Sequence, residues 1–266
     1  MIARSVGRRL CRVTVEIGWQ LGAALTALVL LGVVANIIGR IGVQRSVAWA
    51  AVRAIVQLAA VSLILAAALS HVATAIAFVC VMFGIAVYTT GKRTDVLRSG
   101  GWRWSALAMA SGALPVLAVV FGFGVAPLNG PGIVPIASII VGNMMTAHTL
   151  FGRRAFADLR NNIPTYEAAL SIGLLRSDAI AMVTQPNLRE ALVPALDQTR
   201  TVGLVTLPGA FIGVLLGGGS PLQAGAAQVL VLVGVLAGQS LTIAVAERFA
   251  RQGRLLPADL KARLRP

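Results

Sequence analysis

Polar residues are so widely spaced along this chain that the apolar runs between them define its architecture. Such runs fall at approximately 18 to 38, 47 to 69, 72 to 90, 104 to 126, 133 to 151, 200 to 217 and 222 to 246. As helix, about 20 apolar residues cover a hydrocarbon core of roughly 30 Å. Strands of a membrane barrel are half that length and alternate in polarity, so helices are expected. The pattern predicts an all-α polytopic bundle of about seven spans, one membrane domain over residues 1–266. Two short connections, Pro127-Leu128-Asn129-Gly130-Pro131-Gly132 and Gly217-Gly218-Gly219-Ser220-Pro221, carry turn chemistry and tie antiparallel neighbours. The longest polar interval, about 152–199, separates the fifth run from the sixth. In the sixth run Gly209, Gly213 and Gly217 recur every fourth residue, a small-residue face that lets a neighbouring helix approach. Gly234 and Gly238 repeat that spacing in the last span.

Composition agrees: 57% of residues are hydrophobic and only 12% charged, outside the range of a soluble domain. A net charge of +14 invites a nucleic-acid reading, but its placement argues for a lipid bilayer and against nucleic acid. Most Lys and Arg residues fall at Arg40 and Arg45, from Lys92 to Arg103, from Arg153 to Arg200 and from Arg248 to Arg265. The loops near 70, 127–132 and 217–221 carry no charge. This alternation is the positive-inside pattern of a multi-pass protein of the cytoplasmic (inner) membrane, with the 152–199 loop and the C-terminus in the cytoplasm. Seven spans then put the N-terminus outside, against the preference of Arg4, Arg8, Arg9 and Arg12. Cys11 and Cys80 are too few for a disulfide framework, and Cys80 is expected as a small buried thiol.

Within the polar interval, Glu167-Ala168-Ala169 favour helix, Gly173 ends or bends it, and Pro186 limits the next one. The result is a compact rigid knob at the membrane surface. This spacing resembles the EAA loop by which permease subunits of ABC transporters engage their ATPase, with Gln185 standing where that pattern prefers Leu. Three further segments carry a wider resemblance: Arg53-Ala54-Ile55-Val56-Gln57-Leu58, Val134-Pro135-Ile136-Ala137 with Gly142-Asn143, and Thr201-Val202-Gly203-Leu204-Val205-Thr206-Leu207-Pro208-Gly209. Together they look like the iron-export ABC permeases (FetB-like), which also include plant membrane proteins of aluminium tolerance. Where that family commonly has two Met after the Pro-Gly, this chain has Ala210 and Phe211. The resemblance implies a homodimeric permease exporting iron or another metal-related solute. A separate cytoplasmic ATPase would hydrolyse the ATP, with no cofactor bound by this chain. It assigns Glu167, Ala168, Ala169, Gly173 and Pro186 to ATPase coupling.

Candidate pathway residues are Arg53, Gln57, Asn143, Pro208 and Gly209. Arg53 lies inside a span with Gln57 one turn further on its face, and a charge at that depth must snorkel, pair or face water. Met144, Met145 and His148 could present sulfur and imidazole to a transition metal, since Met144 and His148 share a face. No P-loop, nucleophile elbow or zinc-protease motif occurs, so no enzymatic activity is expected. Other readings are an ion-driven secondary transporter or channel, and a non-transporting membrane stress or assembly factor. The first would call for carboxylates within the spans, whereas Glu16 and Glu247 lie at span ends.

Overall fold

The computed structural model describes residues 18–264 and is a helical bundle. Six helices among the described residues are long and apolar enough to cross a membrane. The chain divides into two compact units, up to Ala67 and from Ala68 onward. Arg4, Arg8, Arg9, Cys11, Arg12 and Glu16 lie outside the described residues.

The first unit consists of α1 (Trp19–Ile38) and all but the last turn of α2 (Gln44–Ser70). Arg40 and Gly42, at φ 51° and 80°, make the reversal between them. No residue of α1 is buried, as suits a helix surrounded by hydrocarbon.

The second unit holds α3 (Val72–Arg93), α4 (Trp102–Gly122), α5 (Gly130–Asn161), α6 (Ile163–Ser171) and α7 (Arg176–Thr184). A 3-10 segment (Gln185–Ala191), α8 (Val193–Thr201), α9 (Gly209–Leu216), α10 (Pro221–Arg251) and α11 (Ala258–Arg263) follow. The two longest helices have firm starts. Asn129 accepts the Gly132 amide at 2.9 Å ahead of α5, with Pro131 in its first turn. Ser220 and Gln223 form a capping box at α10, where Pro221 opens the helix. At 1.5 Å per residue these helices are about 48 and 46 Å long, more than the hydrocarbon core needs. Their basic final turns therefore project beyond it.

Helices α5 and α10 run parallel. The Gln239 amide lies 3.3 Å from the Asn143 carbonyl, and three residues on the Thr242 hydroxyl donates to the Met144 sulfur at 3.1 Å. Helix α4 crosses α10 where glycine meets glycine: a Cβ on Gly112 would overlap the Gly238 carbonyl and the Thr242 hydroxyl. A Cβ on Gly238 would come within 2.9 Å of the Met144 sulfur. The three helices thus share one close-packed point at mid-bundle. Gly234 also packs, with Val116 3.0 Å from an added Cβ.

One end of this unit carries no charge and the other is basic. At the basic end Leu255, Leu256, Leu260 and Leu264 are fully buried in a cluster with Val96, Phe151, Phe156, Leu159 and Tyr166. Arg160 holds Asp259 through two hydrogen bonds of 2.7 and 3.1 Å. That hydrogen bond is the main reason the Asp259 carboxyl lies below the usual carboxylate range. Lys261 donates to the Ser99 carbonyl at 2.8 Å, tying α11 to the connection before α4.

Two expectations change, for the sixth apolar run and for Cys80. The run 200–217 is no continuous span: α8 stops at Thr201, residues 202–208 leave the helix, and α9 resumes for eight residues. Gly203 at φ 78° and Pro208, which lacks an amide hydrogen, account for the interruption. Within the second unit Gly209 and Gly213 meet nothing within 4 Å, and a Cβ on Gly217 would meet only carbonyls of its own turn, which leaves this small-residue face open to a neighbour from outside the unit. Cys80 is exposed on α3, not buried, because its side of the helix points away from α4 and α5.

Gly112→Ala should destabilise the bundle by about 1 to 3 kcal/mol, since the added methyl meets backbone that cannot move aside. Gly213→Ala, in open space, should change stability by less than about 0.5 kcal/mol. Thermal unfolding of the two purified variants in one detergent separates these outcomes.

Candidate functional site

The segment after α5 folds as a helical hairpin at the basic end. α5 itself continues to Asn161, so Arg153, Arg154 and Arg160 belong to its last turns, and the hairpin proper begins at Ile163. Gly173, at φ 91°, turns the chain between α6 and α7, where a residue with a Cβ would be strained. The Gly173 and Leu174 amides donate back to the Leu170 and Ala169 carbonyls at 3.0 and 3.1 Å, satisfying the end of α6. Tyr166 and Ala169 point into the bundle, while Glu167 and Ala168 are exposed. At the tip Ile172 and Leu175 are 77% and 70% exposed.

The hairpin is seated on both long helices. Thr184 donates to the buried Glu247 carboxylate of α10 at 2.7 Å. Arg251 reaches back from α10 to the Asp178 carboxylate at 3.1 Å and the Ser177 carbonyl at 3.3 Å. On α5, Asp158 accepts from Asn187 at 2.9 Å and Arg154 pairs with Glu190 at 3.3 Å. Pro186 lies in the first turn of the 3-10 segment that carries these contacts. Ala179, Ile180, Ala181 and Val183 bury the inner face of α7. A push on this hairpin is therefore delivered to α5 and α10 together. None of Asp158, Asp178, Thr184, Asn187 and Arg251 stands out in the sequence, since their partners lie 29 to 74 positions away.

The other candidates occupy separate surroundings. Met144 is fully buried as the wedge between Gly112 and Gly238, and Met145 is half-buried against the same cluster. His148 is fully buried, its Nδ1 3.1 Å from the Thr90 hydroxyl, which lies 2.8 Å from that of Thr149. This network joins α3 to α5. No group of three or more His, Cys, Asp or Glu side chains able to hold a metal occurs among the described residues. Asn143 donates to its own helix at the Ile139 carbonyl and lies beside Gln239. Arg53 and Gln57 are exposed on α2 in the first unit, whereas Asn143, Pro208 and Gly209 belong to the second.

A bundle of this kind, with six apolar helices and a structured hairpin at its basic end, is that of a multi-pass membrane protein. The chain belongs to the family described as Uncharacterised protein family (UPF0014), whose profile matches residues 19–253. It is 29% identical to the "UPF0014 membrane protein STAR2" of rice (Oryza sativa subsp. japonica), over 81% of this chain and 76% of that one. It is 27% identical to "Protein ALUMINUM SENSITIVE 3" of Arabidopsis thaliana, over 83% and 82% of the respective chains. With "Probable iron export permease protein FetB" of Escherichia coli (strain K12) it shares 29% identity, over 84% and 88%. No solved structure matches the chain.

Thr184→Val should leave the Glu247 carboxylate buried without its donor, a loss of about 1 to 3 kcal/mol. The expected result is a hairpin that opens more often, read as faster limited proteolysis between 162 and 192 with the membrane helices intact. Unchanged cleavage would remove Thr184 from the seating of the hairpin.

Proposed function

We propose that this chain is the membrane permease subunit of an ABC transporter, working as a homodimer with a separate cytoplasmic ATPase. The observation that carries the reading is the α6–α7 hairpin. It presents Glu167, Ile172 and Leu175 outward while its inner face is locked onto α5 and α10. A rigid exposed knob fixed to two transmembrane helices is what a mechanical link to a motor subunit requires. The apolar tip suits a hydrophobic groove on the partner, with Glu167 at its edge. The basic residues around the hairpin support its placement, and that of the C-terminal segment, in the cytoplasm. Hydrolysis belongs to the partner, and this chain transmits the resulting motion.

Similarity to proteins named for iron export and for aluminium sensitivity supports a metal-related solute as cargo, moved outward. The cargo passes through by alternating access, in which ATP-driven closure of the ATPases shifts α5 and α10.

Glu167→Lys and Gly173→Val should abolish stimulation of the partner's ATP hydrolysis while the permease keeps its thermal midpoint. Gly173→Val acts by straining the turn and Glu167→Lys by reversing a surface charge. Stimulation at the unaltered level in both variants would sink the coupling role. Topology has its own check. A cysteine at Leu128 should react with an impermeant thiol reagent added to intact cells, and one at Asn161 should not. The reverse labelling would place the hairpin on the wrong side for an ATPase.

A further inference from the structure

The connection from α3 to α4 turns on one residue with an uncommon backbone. Asp95 lies at φ 58°, and the Val96 amide after it donates to the Gly91 carbonyl at 3.0 Å, closing the end of α3. The reversal sends Val96 into the apolar cluster at the basic end and leaves Asp95 at the surface. Lys261 holds the far side of the connection through its bond to the Ser99 carbonyl. Between this connection, the last turn of α3, the end of α5 and the start of α11 lies a cleft of about 660 Å³, within the range of small-molecule sites. Its polar lining is Tyr88, Lys92, Asp95, Arg98, Arg160 and Asp259, all of the second unit.

The charges of this lining do not cancel. Arg160 and Asp259 satisfy each other through their paired hydrogen bonds, and Asp95 acts electrostatically on the same guanidinium. Lys92 and Arg98 have neither hydrogen bond nor ion pair among the described residues. Three cations against two carboxylates leave an excess of positive charge. Its carriers suit a phosphate group, Lys as a point charge and Arg as a planar fork that grips two oxygens. Depth narrows the source of that phosphate. With 22 residues α3 rises about 33 Å, so its last turn reaches the headgroup layer as the hydrocarbon ends. Tyr88, one turn before Lys92, and Trp102, whose Cβ lies 4.0 Å from an added Cβ on Gly91, are residue types of that level. A basic cleft between helix ends there fits a lipid headgroup. Asp95 sets the charge accepted: a singly charged phosphodiester is neutralised, whereas a phosphomonoester with about two charges meets repulsion.

We propose that this cleft binds the phosphodiester of an anionic glycerophospholipid, with Lys92 and Arg98 on the phosphate oxygens and Asp95 excluding headgroups of higher charge. A lipid seated there joins the end of α3 to the ends of α5 and α11. Inorganic phosphate shares the oxyanion chemistry but brings more charge and no acyl chains to hold it at the cleft. The assignment requires only that the basic end face a lipid leaflet, and it stands apart from cargo and motor.

The test uses the purified full-length chain, delipidated in a non-ionic detergent and titrated in native mass spectrometry with phosphatidylglycerol, phosphatidylcholine and phosphatidic acid. Phosphatidylglycerol should be retained severalfold better than phosphatidylcholine. Lys92→Gln with Arg98→Gln should remove that preference. Arg248→Gln with Arg263→Gln, which takes the same charge from the same end outside the cleft, should keep it. Asp95→Asn, whose new side chain tolerates the left-handed backbone, should raise retention of phosphatidic acid severalfold and that of phosphatidylglycerol less. No preference in the unaltered chain, or equal loss in the two double variants, would leave only a diffuse basic surface and overturn the site. Displacement of phosphatidylglycerol by millimolar inorganic phosphate at matched ionic strength would make soluble phosphate the ligand and overturn the lipid assignment. Unchanged phosphatidic acid retention in Asp95→Asn would overturn the charge selection. The chain is titrated without its ATPase, so none of these outcomes bears on coupling.

Discussion

Everything in the second unit follows from how α5 and α10 lie against each other. Two long helices running the same way, with the Met144 sulfur set between glycines of α4 and α10, form a joint that admits no larger side chain. Without a hydrophobic force between helices in lipid, such closeness is the main source of attraction, because dispersion and weak polar contacts grow as backbones approach. The same joint dictates connectivity. Parallel neighbours need a connection that returns the full length of the bundle, as parallel strands do in a sheet. Here the return is made by a broken helix.

That joint also explains why the hairpin sits where it does. Helices longer than the bilayer is thick deliver their last turns into water, where Glu247, Arg251, Asp158 and Arg154 are free to bind polar partners. The hairpin and the last short helix build a second, water-facing core on those projecting ends. One set of helices thus serves two solvents, packed by small residues in the hydrocarbon and by leucines and aromatics beyond it.

The spans were largely legible because hydropathy over about 20 residues is a strong signal. The turn at Gly173 was legible because only one residue type takes that backbone conformation without strain. The break at 202–208 was not, since averaging Val202, Leu204, Val205 and Leu207 with α9 yields an apolar run whether or not the helix is continuous. The Gly209 to Gly217 stripe, which sequence spacing marked as a face for a neighbouring helix, finds none within the second unit. The contacts that matter instead use Gly112, an isolated glycine with no repeat to announce it. The links from Thr184 to Glu247 and from Arg251 to Asp178 join polar residues of ordinary appearance, visible only once α7 and α10 are brought together.

The cluster at the basic end gathers Val96 and Leu264 into one apolar mass. Its halves are separated by most of the second unit, so loop-closure entropy delays it until α10 and the segment after it have been synthesised. Membrane insertion is thereby separated in time from completion of the core at the basic end. During that interval the leucines at 255, 256, 260 and 264 and the inner face of α7 stand uncovered in water. The apolar surface at the basic end is thus the last of this unit that can be covered, and the one most open to wrong partners until then.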